Sequence, residues 1–250
     1  MSQTPSAACC NTPPIVGQNY SAKGKYTTVD GLRTYQTGPA GAKKAILLIY
    51  DIFGFFPQTL QGADILATSD KDNDYQVFIP DFFEGNPADI SWYPPDTDDK
   101  GKKLGNFFET TGAPPKAVAR VPKLVDEIQK AHPEITTWGI LGFCWGGKVT
   151  NLVSTEGSKF KAAAAAHPAM VDPADAPGVS IPFLMLPSKD EDEDAVSKWE
   201  AALKVPKKVQ WFKNQIHGFM GARGDLSDPA VVADYEKGYQ AVLTWFNQHL

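Results

Sequence analysis

The chain has 250 residues, 42% hydrophobic and 21% charged, an ordinary globular balance. Lys and Arg number 24 against 29 Asp and Glu, a formal charge of −5, and no dense basic stripe is present to attract nucleic acid or an anionic membrane surface. No run approaches roughly 18 apolar residues, and the opening MSQTPSAACC has neither a basic nor an apolar leader region, so the sequence reads as a cytoplasmic protein.

Residues 1–19, rich in Ser, Thr and Pro and containing Cys9 and Cys10, read as a loosely ordered lead-in to one domain over 20–250. Asp30-Gly31 between Lys25 to Val29 and Leu32 to Thr37 predicts an antiparallel hairpin at a sheet edge. Apolar runs then alternate with segments of helical period. Strands are expected at Ala45 to Tyr50, Tyr75 to Ile79, Trp138 to Leu141, Lys161 to Ala166, Ile181 to Leu186 and Lys207 to Phe212. Most lack a polar face and fit parallel strands covered on both sides. Helices are expected at Thr59 to Thr68, Ala117 to Lys130, Lys148 to Ser154, Asp194 to Leu203 and Pro229 to His249. In the last, Tyr235, Tyr239, Val242 and Phe246 recur every three or four residues, Asp228 suits the N-cap and Pro229 the first turn. Pro122 should kink its helix or mark its true start. The pattern predicts an α/β fold, a mainly parallel sheet with helices on both faces. The Gly-, Pro- and Asp-rich stretch 81–115 breaks the rhythm and reads as an irregular loop or lid, pinned by its aromatic residues.

The most informative run is Gly142-Phe-Cys-Trp-Gly-Gly147, between a predicted strand and a predicted helix. It has the spacing of a nucleophile elbow with Cys144 in the place of the usual Ser. At the head of a helix, amide partial charges favour thiolate over thiol. In hydrolases of this fold an acid and then a histidine follow the nucleophile at later strand ends. Asp190 follows the strand ending at Leu186, and His217 the strand ending at Phe212; Asp192 and Asp194 compete as the acid. The loop Tyr50-Asp-Ile-Phe-Gly54 should supply the other half of an oxyanion hole, with the amides of Ile52 and Trp145 as donors. Asp51 beside a cysteine nucleophile could take the thiol proton, repel the thiolate until substrate arrives, or simply hydrogen-bond a local turn. His167 reads as the start of a His-Pro loop satisfied by backbone. No His pair at metal-ligand spacing occurs, and a metal site is not expected.

Four motifs together resemble the dienelactone hydrolases, in detail their fungal branch: Gly142 to Gly147, Asp51-Ile-Phe-Gly54, Pro80-Asp-Phe-Phe-Glu-Gly-Asn-Pro87 and His217-Gly-Phe219. The resemblance spans roughly residues 20 to 249. It implies an α/β-hydrolase fold and a Cys-Asp-His triad at Cys144, Asp190 and His217. It further implies hydrolysis of an enol-lactone without a cofactor. A family glutamate linked to thiol activation matches Asp51, one methylene shorter. An arginine that holds a substrate carboxylate matches Arg223, with Phe53, Trp92 and Phe108 covering the acyl group. The family's second arginine has no counterpart, because 81–115 contains Lys100, Lys102 and Lys103 but no Arg. Two alternatives stay open: a broader carboxylesterase or thioesterase of secondary metabolism, and a catalytically silent ligand-binding relative. The expected partner is a small lactone or ester, and a homodimer is left open.

Overall fold

The computed structural model describes residues 20–69, 74–93 and 95–250; the lead-in expected at 1–19, with Cys9 and Cys10, lies outside them. The hairpin pairs β1 (Lys25–Val29) with β2 (Leu32–Thr37), and both Asp30 and Gly31 take positive φ, as a tight right-twisted turn demands. Six parallel strands follow: β3 (Lys44–Ile49), β4 (Tyr75–Pro80), β5 (Thr137–Phe143), β6 (Ala162–Ala166), β7 (Phe183–Leu186) and β8 (Lys207–Val209). Their order across the sheet is β1-β2-β4-β3-β5-β6-β7-β8, with β2 antiparallel to β4. The helices are α1 (Pro57–Thr68), α2 (Asp98–Glu109), α3 (Pro114–Ala131), α4 (Trp145–Val153), α5 (Glu193–Ala202) and α6 (Pro229–His249).

This order positions the site. From β3 the chain steps to β4 on one side and returns to β5 on the other, so the connections leaving β3 and β5 diverge. A crevice opens at their C-terminal ends, the place where open α/β sheets bind ligands. The uniformly apolar strands are buried along nearly their whole length because helices cover both faces. In β6 all five residues are alanines, and the Trp245 indole of α6 donates to the Ala163 carbonyl at 3.1 Å.

The segment 81–115 is more regular than its composition suggests. It contains the 3-10 turn Ile90–Trp92, the whole of α2 and the first residues of α3. Gly101, Gly105 and six charged residues mask the helical period of α2. Yet Thr97 caps it by accepting from the Lys100 amide at 3.3 Å, Asp98 and Asp99 face its partial positive end, and Leu104, Phe107 and Phe108 are buried. The aromatics do pin this segment: Phe83 packs on Trp145 (4.8 Å between ring centroids) and on Phe107 (5.1 Å). Tyr50 donates to Asp81 at 2.7 Å and accepts from the Phe83 amide at 3.1 Å. Pro122 does not start its helix; it lies inside α3, which begins at Pro114, and the Val118 carbonyl one turn earlier forgoes its helical donor there. Helix α4 begins at Trp145 rather than Lys148, because Cys144 is its N-cap.

Candidate active site

Cys144 stands between β5 and α4 with φ 52° and ψ −113°. A non-glycine residue there carries about 1–3 kcal/mol of backbone strain and persists only where its surroundings impose it. Here they do. The Cys144 amide donates to Ala166 O at 3.2 Å, and the Cys144 carbonyl accepts from Gly147 at 3.0 Å and Ala169 at 3.0 Å. The turn also needs two glycines: a Cβ at Gly146 would lie 2.2 Å from the Ile49 carbonyl oxygen, and one at Gly142 would lie 2.1 Å from that of Gly146. Backbone atoms at such distances have nowhere to move. The elbow read from the sequence therefore exists, and its side chain is only 3% exposed.

Cys144 and His217 line one cavity at the C-terminal ends of β3 and β5, together with Asp51, Ile52, Phe53, Tyr93 and Arg223. It offers about 10 Å³ to the centre of a water-sized sphere, room for about one water molecule. A ring-sized molecule must displace side chains to occupy it. Phe53 and Tyr93, both lining this space, meet edge to face at 5.4 Å. Phe53 thus stands where the sequence places it, whereas Trp92 and Phe108 do not line the cavity. Phe108 packs on Phe107 at 5.6 Å, and Tyr93 occupies the place expected of Trp92, because the 3-10 turn before it directs the next residue inward.

The acid is the main correction. Asp190, expected to orient the His217 ring, accepts instead from the His217 backbone amide through Oδ2 at 2.8 Å. Glu191 Oε1 lies 2.6 Å from His217 Nδ1, with both side chains buried, and Glu191 Oε2 takes the Ser188 amide. Asp192 caps α5 by accepting from Asp194 and Ala195, and Asp194 pairs with Lys198 at the surface. Within the run Asp190 to Asp194, only the turn decides which carboxylate meets the imidazole. That turn is tied to the histidine loop by Lys189 N to Gln215 O at 3.0 Å, which aims residue 190 at the backbone and the longer Glu191 at the ring. Acid-nucleophile order admits Glu as readily as Asp, and that is the signal by which Glu191 could have been found.

The loop Tyr50 to Gly54 forms a tight turn at the cavity. Asp51 Oδ1 accepts from the Phe53 amide at 2.9 Å and Asp51 O from Gly54 at 3.2 Å, a turn that puts Ile52 at the cavity wall. Trp145, the other expected donor, is the first residue of α4, where amides lack helical acceptors. Its indole donates to Gly112 O at 2.7 Å and fixes the elbow against the segment after α2. Asp51 also reaches across to the Ala222 amide at 2.9 Å, and burial pushes its carboxyl pKa upward. Arg223 is 3% exposed in the same cavity, its guanidinium carbon 5.9 Å from the Tyr93 ring centroid. His167 is not satisfied by backbone as expected: neither ring nitrogen has a hydrogen-bond partner among the described residues. It is wholly buried behind the site, its ring stacked on Phe143 at 5.5 Å and edge-on to His217 at 5.4 Å. Burial and the neighbouring His217 hold its pKa well below the usual histidine value. Among the described residues no group of three or more His, Cys, Asp and Glu could hold a metal ion, and no helix is long and apolar enough to cross a membrane.

The chain is similar along most of its length to several known proteins. An AIM2 family protein of Schizosaccharomyces pombe is 36% identical over 250 residues, covering 96% of this chain and 98% of its own length. A human carboxymethylenebutenolidase homolog is 25% identical over 241 residues, covering 92% and 93%. The crystal structure of a dienelactone hydrolase from Anabaena variabilis superposes with a TM-score of 0.63 at 14% identity, over 93% of this chain and all of that one, which establishes a shared α/β-hydrolase fold. Residues 32–250 match the model of the dienelactone hydrolase family, and with a relative of such identity over nearly the full length, this chain belongs to that family of hydrolases.

Proposed function

We propose that this protein is a carboxylic-ester hydrolase that opens a lactone or cleaves an activated ester through a thioester acyl-enzyme. The observation that carries this reading is one cavity shared by a strained elbow cysteine and by His217, whose Nδ1 lies 2.6 Å from buried Glu191. With Nδ1 held by Glu191, Nε2 is the ring position that exchanges protons with the reacting groups. His217 takes the Cys144 thiol proton as Sγ attacks the carbonyl carbon. The amides of Ile52 and Trp145 hold the tetrahedral oxyanion, and collapse breaks the carbon–oxygen bond as His217 returns the proton to the leaving oxygen. Water then adds to the thioester, losing a proton to His217, and the carboxylic acid departs as the thiol re-forms. Arg223, as a buried cation at the wall, favours substrates that bear a carboxylate of their own.

A broader ester specificity is favoured by one observation. Of the three lysines of 81–115 that stand where a second arginine is missing, Lys100 and Lys103 are already paired with Asp96 and Asp99 at the start of α2. Hydrolysis of a dienelactone and of p-nitrophenyl acetate by wild type and Cys144→Ala, with intact-mass detection of an acyl adduct, tests both readings. Cys144-dependent turnover of the dienelactone supports the lactonase. Cys144-dependent turnover of the aryl ester alone keeps the mechanism and discards that substrate. Turnover that survives Cys144→Ala refutes the mechanism.

A further inference from the structure

Asp51 is 2% exposed and faces the cavity, yet both of its oxygens are already engaged by backbone amides on two different loops. Oδ1 closes the turn that carries Ile52, and Oδ2 takes the amide of Ala222, 171 positions away and next to Arg223. The approach is close: a Cβ at Gly221 would stand 2.7 Å from Oδ2. The same loop is held from the start of α1, where Gln58 Nε2 donates to Gly224 O at 3.0 Å, and from α6, where Tyr239 donates to Met220 O at 3.1 Å. The segment bearing His217 and Arg223 is thus hung on the segment bearing the oxyanion donor, and Asp51 is the link at the cavity itself.

We propose that Asp51 is a positioning residue, a strap that holds the His217–Arg223 loop in register with the oxyanion loop, and is not the proton acceptor of the Cys144 thiol. The role rests on the ester-hydrolase reading above. Taking the thiol proton would neutralise a carboxylate whose charge strengthens both amide bonds and so would weaken the link between the two loops, whereas His217 has Glu191 behind it to stabilise the imidazolium. His217 and Arg223 both lie within electrostatic reach of Asp51, so the strap also sets a carboxylate near the Arg223 cation and near the imidazolium that His217 forms.

Asp51→Asn keeps one carbonyl oxygen for the Phe53 turn but presents an N–H group to Ala222, which severs the strap on one side only. Gly221→Ala attacks the same contact from the other side without touching a titratable group. Both variants should speed hydrogen exchange at the Ala222 amide, read by NMR, by about tenfold. In both, kcat/KM for an ester bearing a free carboxylate should fall about tenfold further than for p-nitrophenyl acetate, through KM, because Arg223 is displaced. The pH midpoint of Cys144 alkylation by iodoacetamide should stay within a unit of wild type, the loss of one nearby charge being all that Asp51→Asn adds. A midpoint raised by a unit or more in Asp51→Asn alone would make Asp51 the thiol's base and overturn the proposal. Unaltered Ala222 exchange, or an equal loss on both esters, would overturn it as well. Exchange and alkylation need no turnover, so if wild type hydrolyses neither ester, the function fails while these two readouts still decide the strap.

Discussion

Replacing Glu191 with Gln tests the proposal that Glu191, the carboxylate set against the His217 ring, and not Asp190 serves as the acid. The ring contact is 2.6 Å, both partners are buried, and Glu191 has a second commitment to the Ser188 amide. A glutamine has one carbonyl oxygen where the carboxylate has two acceptors, and the Ser188 amide can only donate, so the oxygen turns to Ser188 and the NH₂ group to His217. Nδ1 must then accept, the proton moves to Nε2, and the imidazole can no longer take a proton from Cys144. In a Ser-His-Asp triad the equivalent change costs about 10⁴ in kcat, equivalent to about 5 kcal/mol of transition-state stabilisation. A loss of that order is expected in kcat for Glu191→Gln on the best ester found, measured at the plateau of the pH profile. Asp190→Asn keeps an oxygen for the His217 amide and should cost less than about tenfold, since its carboxylate fixes backbone and not the ring. The reverse ranking, with Asp190→Asn inactive and Glu191→Gln nearly intact, would refute the assignment and restore the acid expected from the sequence.

Arg223→Lys should discriminate by substrate charge, because an ammonium cannot present the guanidinium's planar fork; a loss of about tenfold or more is expected in KM for a carboxylate-bearing ester, with little change for a neutral one, read by steady-state kinetics. His167 is held neutral by burial, so the unfolded chain binds the proton that the folded protein refuses. Its contribution to stability is complete above the ordinary histidine pKa of 6.5 and is lost as pH falls below it toward the depressed folded value. Melting temperature should therefore fall less steeply from pH 7 to pH 5 in His167→Phe than in wild type, and equal slopes would show that His167 does not titrate with folding. Gly146→Ala places a Cβ 2.2 Å from the Ile49 carbonyl oxygen, a backbone atom of a central strand. A cost of about 3 kcal/mol or more is expected, at or beyond the upper end for overpacking, a drop of roughly 6–12 °C in melting temperature for a domain of this size. An unchanged melting temperature would mean that the elbow is less tightly closed.

What was legible in the sequence was whatever short-range chemistry dictates. Asp30-Gly31 can close only a tight turn, and the apolar runs of β3 to β7 have no polar face to leave wet. Gly142 and Gly146 flank Cys144 because a strand-to-helix turn of that sharpness excludes a Cβ on either side. These constraints act within a few residues, so the residues themselves declare them. Helix α2 was obscured because its apolar stripe is only Leu104, Phe107 and Phe108, on a segment otherwise charged or glycine, and its stability comes from packing on Phe83 and not from propensity.

Which carboxylate meets the His217 ring, which aromatic enters the cavity and where Asp51 finds its second amide depended on tertiary structure. Asp190 and Glu191 are adjacent and chemically similar, and the bond from Lys189 to Gln215 in another loop turns one toward backbone and the other toward the ring. Trp92 and Tyr93 are likewise neighbours, and the 3-10 turn that ends at Trp92 leaves Trp92 half-exposed and Tyr93 buried. Asp51 lies 171 positions from Ala222 and looks like a turn residue until the sheet order sets β3 beside β5 and brings the last loops across them. Local sequence specifies which groups can do chemistry and which backbone turns present them. Hydrogen bonds between segments far apart in the chain choose the partner of each, and no local pattern encodes that choice.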